Sequence, residues 1–467
     1  MAPHARSKYP KPIYTLRLKP ASHVYFINSI DLIPIVQRHF RTLSFDPPII
    51  DGVHKILGVS QNTLDIMNQD VVADGDASYL TRLNKAVHSL LSPGPMLADM
   101  NKKAVSALEQ SISELVAQGP TAVDMLDWVQ RTVMGATTDS VFGPRNPFRD
   151  PDNVAAWIEF EREGMPRLAM GASERFIPAA IRARETLFKA FDKYLADDSV
   201  SEASTFFQRR IGFHFREGIP RRDISKLAVA DNIAFSSNLV PTAFWLLYHI
   251  YADLTVLAEC RSEVAEAVNA SGNNNSISHS TTQTISYEYI KNSCPILQST
   301  LKEVFRHHGV GLVPRRALSE LMLDNKYLIK KGGLILIPYT VQHQDPANWG
   351  PNPEQFRHRR HLKPDSEDTL SEFVRPKQHE GAALRGFGYG AHLCPGRHLA
   401  TAELLLFTAL IMLRFDIRPF PDGSEWPKLE PSEAYQVAAL GRPDHDVRIE
   451  FRPRPGVSQE GWVVDFS

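Results

Sequence analysis

The sequence predicts a mainly α-helical protein with small β-sheets. Apolar residues recur at helical spacing almost throughout residues 81–267. Short segments of alternating apolar and polar residues stand before and after this region. Apolar residues make up 43% of the chain and charged residues 22%, which is typical of a globular protein. We therefore expect many helices packed around a large core, with a minor sheet component.

The ends of the chain carry the predicted strands. Residues 13–18 and 23–27 alternate around Pro20 and predict a hairpin, and residues 31–38 predict a helix capped by Ser29 or Asp31. A polar stretch at 270–283 predicts a surface loop. The later elements are a helix at 296–307, strands at 321–323 and 334–338, a final helix from about Arg397, and closing strands at 437–440 and 447–451.

Charge and cysteine content exclude several classes of protein. The 52 Lys and Arg residues nearly balance 53 Asp and Glu residues, which argues against a dedicated nucleic-acid binder. Three cysteines cannot form a disulfide framework, so we expect a reducing compartment. The longest apolar run, residues 402–413, is shorter than the ~20 residues of a bilayer span. We expect a protein that is not secreted and has no transmembrane span in this chain.

The domain organisation is predicted to be simple. No hinge-like linker divides the chain, so residues 13–467 are expected to form a single catalytic domain. Residues 1–12 are expected to be a disordered or truncated N-terminal segment.

The strongest chemical signal is the loop at residues 387–397, which runs directly into an apolar helix. Glycines within and beside it let the backbone turn tightly and approach a flat ligand. Cys394 precedes the predicted helix N-terminus, where the helix dipole favours the thiolate. Such a thiolate is a nucleophile or an axial metal ligand, whereas a buried structural role is the usual fate of a lone cysteine. We assign that structural role to Cys260 and Cys294.

This loop resembles the haem-binding loop of the cytochrome P450 family, Phe-x-x-Gly-x-Arg/His-x-Cys-x-Gly, at every position. The resemblance implies the P450 fold, haem b as cofactor and Cys394 as the thiolate ligand of the iron. It also implies that His392 binds a haem propionate. Phe387, Gly388 and Arg397 are expected beside the haem. Pro395 removes a backbone N–H next to the sulfur, so we expect an electron-rich thiolate and a lower iron potential.

The resemblance also implies a structural triad behind the haem. Glu303 and Arg306 share one helical face at a spacing of three residues. In the family such a pair meets an arginine after a Pro-x-x-Phe segment, and Arg360 follows Pro353 and Phe356 at the matching distance.

Two further haem contacts are expected. Arg316, or its neighbour Arg315, is expected to reach the second propionate. The Trp-x-x-x-Arg motif common early in the family is absent, and this region offers Asn84, Lys85 and His88 instead. His88 is the expected substitute.

The central helix departs from the family pattern. Ser237 and Asn238 stand where most members carry an acid–alcohol pair that delivers protons during oxygen activation, so these two are the candidate catalytic residues. Asp231 lies nearly two turns upstream and cannot replace the missing carboxylate. Pro241 is expected to kink the helix. The pattern Asn238-x-x-Pro-x-x-Phe-Trp245 is similar to the branch that contains bile-acid sterol hydroxylases and prostacyclin synthase.

Three functions follow from this resemblance. The first is a monooxygenase of fungal secondary metabolism that oxidises a lipophilic terpenoid, sterol-like, polyketide or alkaloid molecule with O₂ and electrons from an NADPH-cytochrome reductase. The second is a haem-thiolate isomerase or dehydratase that rearranges a peroxide or another activated substrate without external electrons. The third is a non-catalytic haem sensor.

The resemblance also implies where the protein meets its partners. The reductase is expected at a basic face that carries Arg375, Lys377, Arg385 and Arg397. Substrate contacts are expected from residues 81–100, residues 169–178, Phe235, Asn238 and the segment after Arg306. The expected location is the cytoplasmic face, with peripheral contact at the endoplasmic reticulum.

Overall fold

The computed structural model describes residues 11–19, 22–71, 77–270, 283–362, 380–432, 438–456 and 461–466. Their helices, in chain order, are α1 Leu32–Arg38, α2 Asp46–Leu57, α3 Gln61–Asn68, α4 Tyr79–His88, α5 Pro95–Gln118, α6 Met125–Phe142, α7 Pro151–Glu159, α8 Met165–Ala169, α9 Pro178–Ala196, α10 Thr205–Arg216, α11 Arg221–Ser236, α12 Leu239–Ala252, α13 Leu254–Ala270, α14 Tyr287–Ser293, α15 Pro295–His307, α16 Tyr339–His343, α17 Pro346–Trp349, α18 Glu380–Ala383 and α19 Arg397–Arg414. A π-helical turn, Phe160–Gly164, joins α7 to α8.

Strands occupy the two ends of the chain and the stretch after α15. They are β1 Ile13–Lys19, β2 Ser22–Ile27, β3 Leu43–Ser44, β4 Thr121–Asp124, β5 Gln283–Ser286, β6 Leu312–Ala317, β7 Leu321–Leu323, β8 Tyr327–Ile329, β9 Leu334–Pro338, β10 Phe415–Pro419, β11 Arg448–Pro453 and β12 Trp462–Asp465. The largest sheet has the order β1-β2-β9-β6-β3, with β2 and β9 parallel and the other pairs antiparallel. The smaller sheets are β10-β11-β4, β12-β5 and β7-β8.

Two hydrophobic cores organise these elements. The larger core lies among the helices, where α5, α6, α12 and α19 pack against one another. The smaller core lies between the five-stranded sheet and α1 and contains Ile27, Ile33, Val36 and Ile337. The last helix, α19, is buried along most of its length, so the loop that precedes it is fixed against the larger core.

The predicted fold class is confirmed, as are the hairpin, the first helix and the final helix. The predicted strand at 437–440 is wrong for its described part: Leu440 forms only an isolated bridge to Gly309. The carbonyl of Ala439 accepts hydrogen bonds from Val310 and Gly311 there. Residues 1–10 lie outside the described residues, and the domain boundary at residue 13 stays a prediction.

The central helix is interrupted before the position that the sequence predicts. Helix α11 ends at Ser236 and α12 begins at Leu239, so Pro241 is the third residue of the second helix. A proline ring clashes with the carbonyl four residues earlier, which is that of Ser237, but fits the first turn of a helix. The expected kink at Pro241 is therefore a break at residues 237–238.

Within the described ranges, every helix falls short of the length and apolar character that a bilayer span requires.

A buried ion cluster ties α15 to the chain that follows α17. Glu303 is fully buried, and Arg306 donates to its two carboxylate oxygens from Nε and Nη2, both at 2.8 Å. Arg360 Nε donates to the same carboxylate at 3.0 Å. His361 Nε2 lies 3.1 Å from it and is a fourth member that the sequence did not indicate. Burial alone would raise the pKa of Glu303, but hydrogen bonds from Arg306 and His361 hold it well below its usual range.

Removing the central cation of this cluster tests its structural role. Arg306→Met leaves Glu303 buried without its bidentate partner, so we expect the free energy of unfolding to fall by about 3–5 kcal/mol. The matched control is Lys291→Met, since Lys291 pairs with Glu288 at the same three-residue spacing but at the surface. The free energy of unfolding of that variant is expected to fall by less than about 1 kcal/mol. Guanidinium denaturation measures both, and equal losses would contradict the assignment.

Candidate active site

The cysteine loop is closed by its own backbone. The Cys394 N–H donates to the Phe387 carbonyl at 2.8 Å, and Gly388 has φ +83°. A Cβ at Gly388 would lie 2.8 Å from the His392 carbonyl oxygen, and one at Gly386 would lie 2.6 Å from the Phe305 ring. Glycine is therefore required at both positions. The Phe387 ring meets the edge of Phe305 with centroids 4.9 Å apart, which anchors the loop to α15.

Electrostatics at the sulfur differ from the sequence-based expectation. Burial raises the pKa of the Cys394 thiol, and this outweighs the lowering by the Gly396 and Arg397 N–H groups and the Arg397 guanidinium. The N–H groups at the helix terminus therefore lower the pKa of this thiol as expected, but burial has the larger effect. Pro395 has no N–H, so the donors begin one residue later. A thiol that coordinates a metal ion loses its proton outright, so this site becomes a thiolate when iron binds.

Cys394 opens onto a cavity of about 500 Å³, here called the large cavity. Phe387, Gly388 and His392 line it on the side of the loop. A second cavity of about 290 Å³, the basic cavity, adjoins it and shares His392, Gly388 and Tyr339 with it.

Three cationic or cation-forming side chains line the basic cavity: Arg315, Arg385 and His392. None of the described residues that line it carries a carboxylate. The Arg385 guanidinium donates to the Pro338 carbonyl at 2.8 Å and lies over the Tyr339 ring. Its Nε and Nη1 atoms have no partner in the described structure, and neither do Arg315 Nε and His392 Nε2. Burial lowers the pKa of Arg385 to about 10 and that of His392 to about 4. Because these buried donors have no partner, an anionic ligand would be favoured in the basic cavity.

A haem fits these two cavities. The sulfur of Cys394 suits the iron, the glycines leave room for a flat ring, and the unpartnered donors suit its propionates. The residues that would hold it are Cys394 on the metal, with Arg315, Arg385 and His392 on the carboxylates.

The structure distinguishes the two alternatives for the second propionate and corrects the prediction for Arg385. Arg316 pairs with Asp51 at 3.0 Å near the surface and does not line either cavity, whereas Arg315 is fully buried. Successive residues of a strand point to opposite faces, so only one of the two can point inwards from β6. Arg385, expected on an exposed reductase face, is 1% exposed.

The other residues of that basic face have different outcomes. Arg375 and Lys377 lie outside the described residues. Arg397 is partly buried, and its Nη1 donates to the Cys394 carbonyl at 3.1 Å.

The structure also places His88 away from the expected haem contact. Its side chain is exposed near Ser92 and does not line the large cavity. Asn84, Val87 and Leu91 line it instead, at helical spacing. Asn84, one turn before His88, is thus the polar side chain of this helix that reaches the large cavity.

One face of the central helix lines the large cavity, at spacings of three and four residues. It comprises Asp231, Ala234, Phe235, Asn238, Leu239 and Thr242. The Asn238 Oδ1 atom accepts hydrogen bonds from the N–H groups of Ala439 and Leu440 at 2.9 and 3.2 Å. Ser237 points elsewhere: it is buried and its hydroxyl donates to Glu161 at 2.6 Å, so it does not line the large cavity as the sequence predicted.

Glu403 on α19 is a cavity residue that sequence reasoning missed. Its carboxyl group accepts a hydrogen bond from the Thr137 hydroxyl at 2.6 Å, and its other oxygen has no partner in the described structure. Burial raises the pKa of Glu403 to about 8 despite this bond, so the group is mostly neutral at pH 7. The only sign of this residue in the sequence is that it is a single acidic side chain inside an otherwise apolar helical segment.

Comparison with known proteins supports the family that the cysteine loop indicated. Residues 233–445 match the family model described as Cytochrome P450. The chain is 28% identical over 460 residues to the cytochrome P450 monooxygenase nodJ of Hypoxylon pulicicidum, with 97% of this chain and 85% of the relative covered. These matches support the cytochrome P450 family, which the cysteine loop had indicated. The comparisons therefore indicate an oxidoreductase whose cofactor is haem b.

Two further likenesses agree with this. Prostacyclin synthase of Bos taurus is 26% identical over 248 residues, which cover 52% of this chain and 48% of the relative. This likeness supports the branch indicated by the Asn238 segment. The solved structure of retinoic acid-bound cyanobacterial CYP120A1 has a TM-score of 0.67 at 16% identity, with 97% of this chain and 94% of that chain covered, and it shows the fold.

Arg315 and Arg385 are expected to hold the haem. In Arg385→Leu or Arg315→Leu, haem dissociation should become roughly tenfold to a hundredfold faster, because each change removes hydrogen bonds to a charged group. The haem-free protein should not lose stability in Arg385→Leu, because a buried cation without a counter-ion is removed. Haem transfer to an acceptor protein measures the rate. Arg316→Leu is the matched control, and an equal effect of all three changes would contradict the assignment.

Pro395 offers a test of the sulfur environment. Pro395→Ala restores one N–H beside Cys394, so we expect a higher ferric/ferrous potential in a redox titration. Leu393→Ala, on the other side of the cysteine, leaves the number of N–H groups unchanged and should leave the potential near that of the wild type. A potential in Pro395→Ala that is unchanged or lower would refute the expectation.

Proposed function

We propose that this P450 is a monooxygenase that oxidises a lipophilic small molecule of fungal secondary metabolism, with O₂ and electrons from an NADPH-cytochrome reductase. The supporting observation is the large cavity, which brings Cys394 and Asn238 into one space. The similarity to nodJ supports the fungal setting.

The walls of the large cavity support a lipophilic substrate. Val87, Leu91, Phe206, Phe235 and Leu239 line it, and apolar walls with few polar groups are typical of sites for small molecules. Terpenoid, sterol-like, polyketide and alkaloid substrates all share this chemistry.

Asn238 is the proposed catalytic residue. Haem with a thiolate ligand supplies the activation of dioxygen. Because the Asn238 Oδ1 atom is held by two backbone N–H groups, its Nδ2 group is left to hold a water molecule or a substrate hydroxyl. An amide is not an acid, so the water or substrate held there would relay the proton. Ser237 is instead bonded to Glu161, which itself is paired with Arg442, so its role is structural.

The second candidate is a haem-thiolate isomerase or dehydratase that needs no external electrons. Two observations favour it: the cavity-facing residue at this point of the helix is a neutral amide, and prostacyclin synthase is a relative. A haem sensor needs no substrate site, whereas Val87, Leu91, Phe206 and Phe235 line the large cavity away from the cysteine loop, and this apolar wall favours an enzyme.

Peripheral membrane contact at the cytoplasmic face of the endoplasmic reticulum is proposed for the segment between α8 and α9. Met170 is 79% exposed and Phe176 83% exposed there. Large exposed apolar side chains of this kind mark interaction surfaces.

Stoichiometry distinguishes the two candidate reactions. The substrate for the assay is the metabolite that accumulates when the protein is absent from its host. A monooxygenase consumes one NADPH and one O₂ for each product formed, whereas turnover without NADPH and reductase would establish the second candidate instead.

Neighbouring substitutions test the proposed role of Asn238. Asn238→Ala should lower the product formed per NADPH consumed, by roughly tenfold or more, the lower end of what a positioned proton-transfer group contributes. Asn238→Asp keeps an acceptor for the backbone N–H groups, and it too should uncouple because it lacks the amide donor. Ser237→Ala is the matched control: it should lower stability and leave the coupling unchanged. Equal coupling in all three would contradict the role.

A further inference from the structure

A charged pair lies in the wall of the large cavity. Arg210 on α10 and Asp231 on α11 both line it, and Arg210 Nε is 2.5 Å from Asp231 Oδ1. Asp231 is 2% exposed, and its Oδ2 atom has no hydrogen-bond partner in the described structure. The pair thus brings one unused acceptor to a cavity whose walls are mostly apolar.

Helix α10 also carries a buried polar contact to α4. The Tyr79 hydroxyl lies 2.5 Å from His214 Nδ1, and His214 is one turn after Arg210 on the same helix. Burial, and then the charge of Arg210, hold the pKa of His214 well below its usual value, so the imidazole is neutral. Burial raises the pKa of Asp231 to about 6 while Arg210 opposes the rise, so the carboxylate is mostly ionised at pH 7.

An ion pair at this place is not explained by stability. Buried ion pairs contribute little or nothing when replaced by apolar residues, and an unpartnered carboxylate oxygen adds a cost. The buried carboxylate of Glu303 differs from that of Asp231, because both of its oxygens accept hydrogen bonds from the protein. The free oxygen of Asp231 instead suits a ligand that donates a hydrogen bond.

The position of the pair along the helix suits an anchor for one end of a substrate. Seven residues separate Asp231 from Asn238, which is roughly 10 Å along a helix. Ala234 and Phe235 line the wall between them. The large cavity therefore has two polar points joined by an apolar stretch.

We propose that Asp231, held by Arg210, binds a hydroxyl or N–H group of the substrate and thereby fixes which carbon lies at the Asn238 end of the large cavity. The substrate is then a lipophilic molecule that already carries one such donor, so an enzyme that installs a hydroxyl or amine must act before this one. This inference rests on the proposed function and narrows its substrate class.

Imidazoles with a chain on one nitrogen measure the anchor without knowledge of the substrate. The free nitrogen of the ring binds haem iron, and the chain extends through the large cavity. Two series of equal chain length, one ending in a hydroxyl and one in a methyl group, are titrated into the haem-loaded protein, and the Soret shift gives each dissociation constant. At the chain length that reaches Asp231, the hydroxyl ligand should bind roughly tenfold to a hundredfold tighter than its methyl counterpart, the range for a hydrogen bond to a charged group.

Matched variants attribute this advantage to the pair. Asp231→Asn should reduce the ratio to below about threefold, because it removes the charge from the acceptor. Asp223→Asn is the control: Asp223 is equally buried on the same helix, but Ser60 and Thr63 satisfy it and it does not line the large cavity. If Asp231→Asn fails to fold, Arg210→Leu/Asp231→Leu removes both charges together and should make the ratio about one.

Each outcome decides the inference. A hydroxyl advantage that is present in the wild type and in Asp223→Asn but lost in the Asp231 variants supports it. No advantage at any length, an advantage that survives the double change, or tighter binding of a carboxylate-ended chain would overturn it. Haem loading is checked separately in the same samples, so a protein that binds no haem would refute the proposed function rather than this inference.

Discussion

Two buried guanidinium groups face the basic cavity without a carboxylate among its lining residues. Arg315 and Arg385 donate some hydrogen bonds to backbone carbonyls and to Gln37. Arg315 Nε and Arg385 Nε and Nη1 have no partner within the described structure. Burial disfavours the charged form of both side chains, and the charge of Asp46 offsets this only in part and only for Arg315. A bound anion would stabilise both cations. A dianionic planar cofactor supplies that charge, and the thiol of Cys394 in the adjoining cavity supplies the ligand for its iron.

The same chain shows how it treats a buried charge that needs no ligand. Around Glu303 the cations, the histidine and the backbone carbonyls satisfy one another, and that cluster holds the chain behind the cysteine loop in place. This closed ion cluster lies outside both cavities, whereas the charged groups that line the cavities keep atoms without a partner in the described structure. By this criterion Asp231 belongs with the arginines of the basic cavity.

Much of the fold and part of the site could be predicted from sequence because their signals are local. Helical periodicity, the hairpin and the glycines around Cys394 depend on residues near one another in the chain. The errors concern the direction of a side chain, which tertiary packing decides. Ser237 and Asn238 are adjacent, yet one meets Glu161 and the other the large cavity. Strand alternation could have separated Arg315 from Arg316, but no local pattern indicated that Arg385 is buried or that Asp231 pairs with Arg210.

The carbonyl spectrum tests the central claim most directly. The reduced protein is exposed to carbon monoxide, and the Soret band is recorded for the wild type and for Cys394→Ser. We expect the wild type to show the strongly red-shifted band of a thiolate-ligated haem and the variant to lose it. A variant that binds haem and keeps that band would show that another residue ligates the iron, and it would contradict the account.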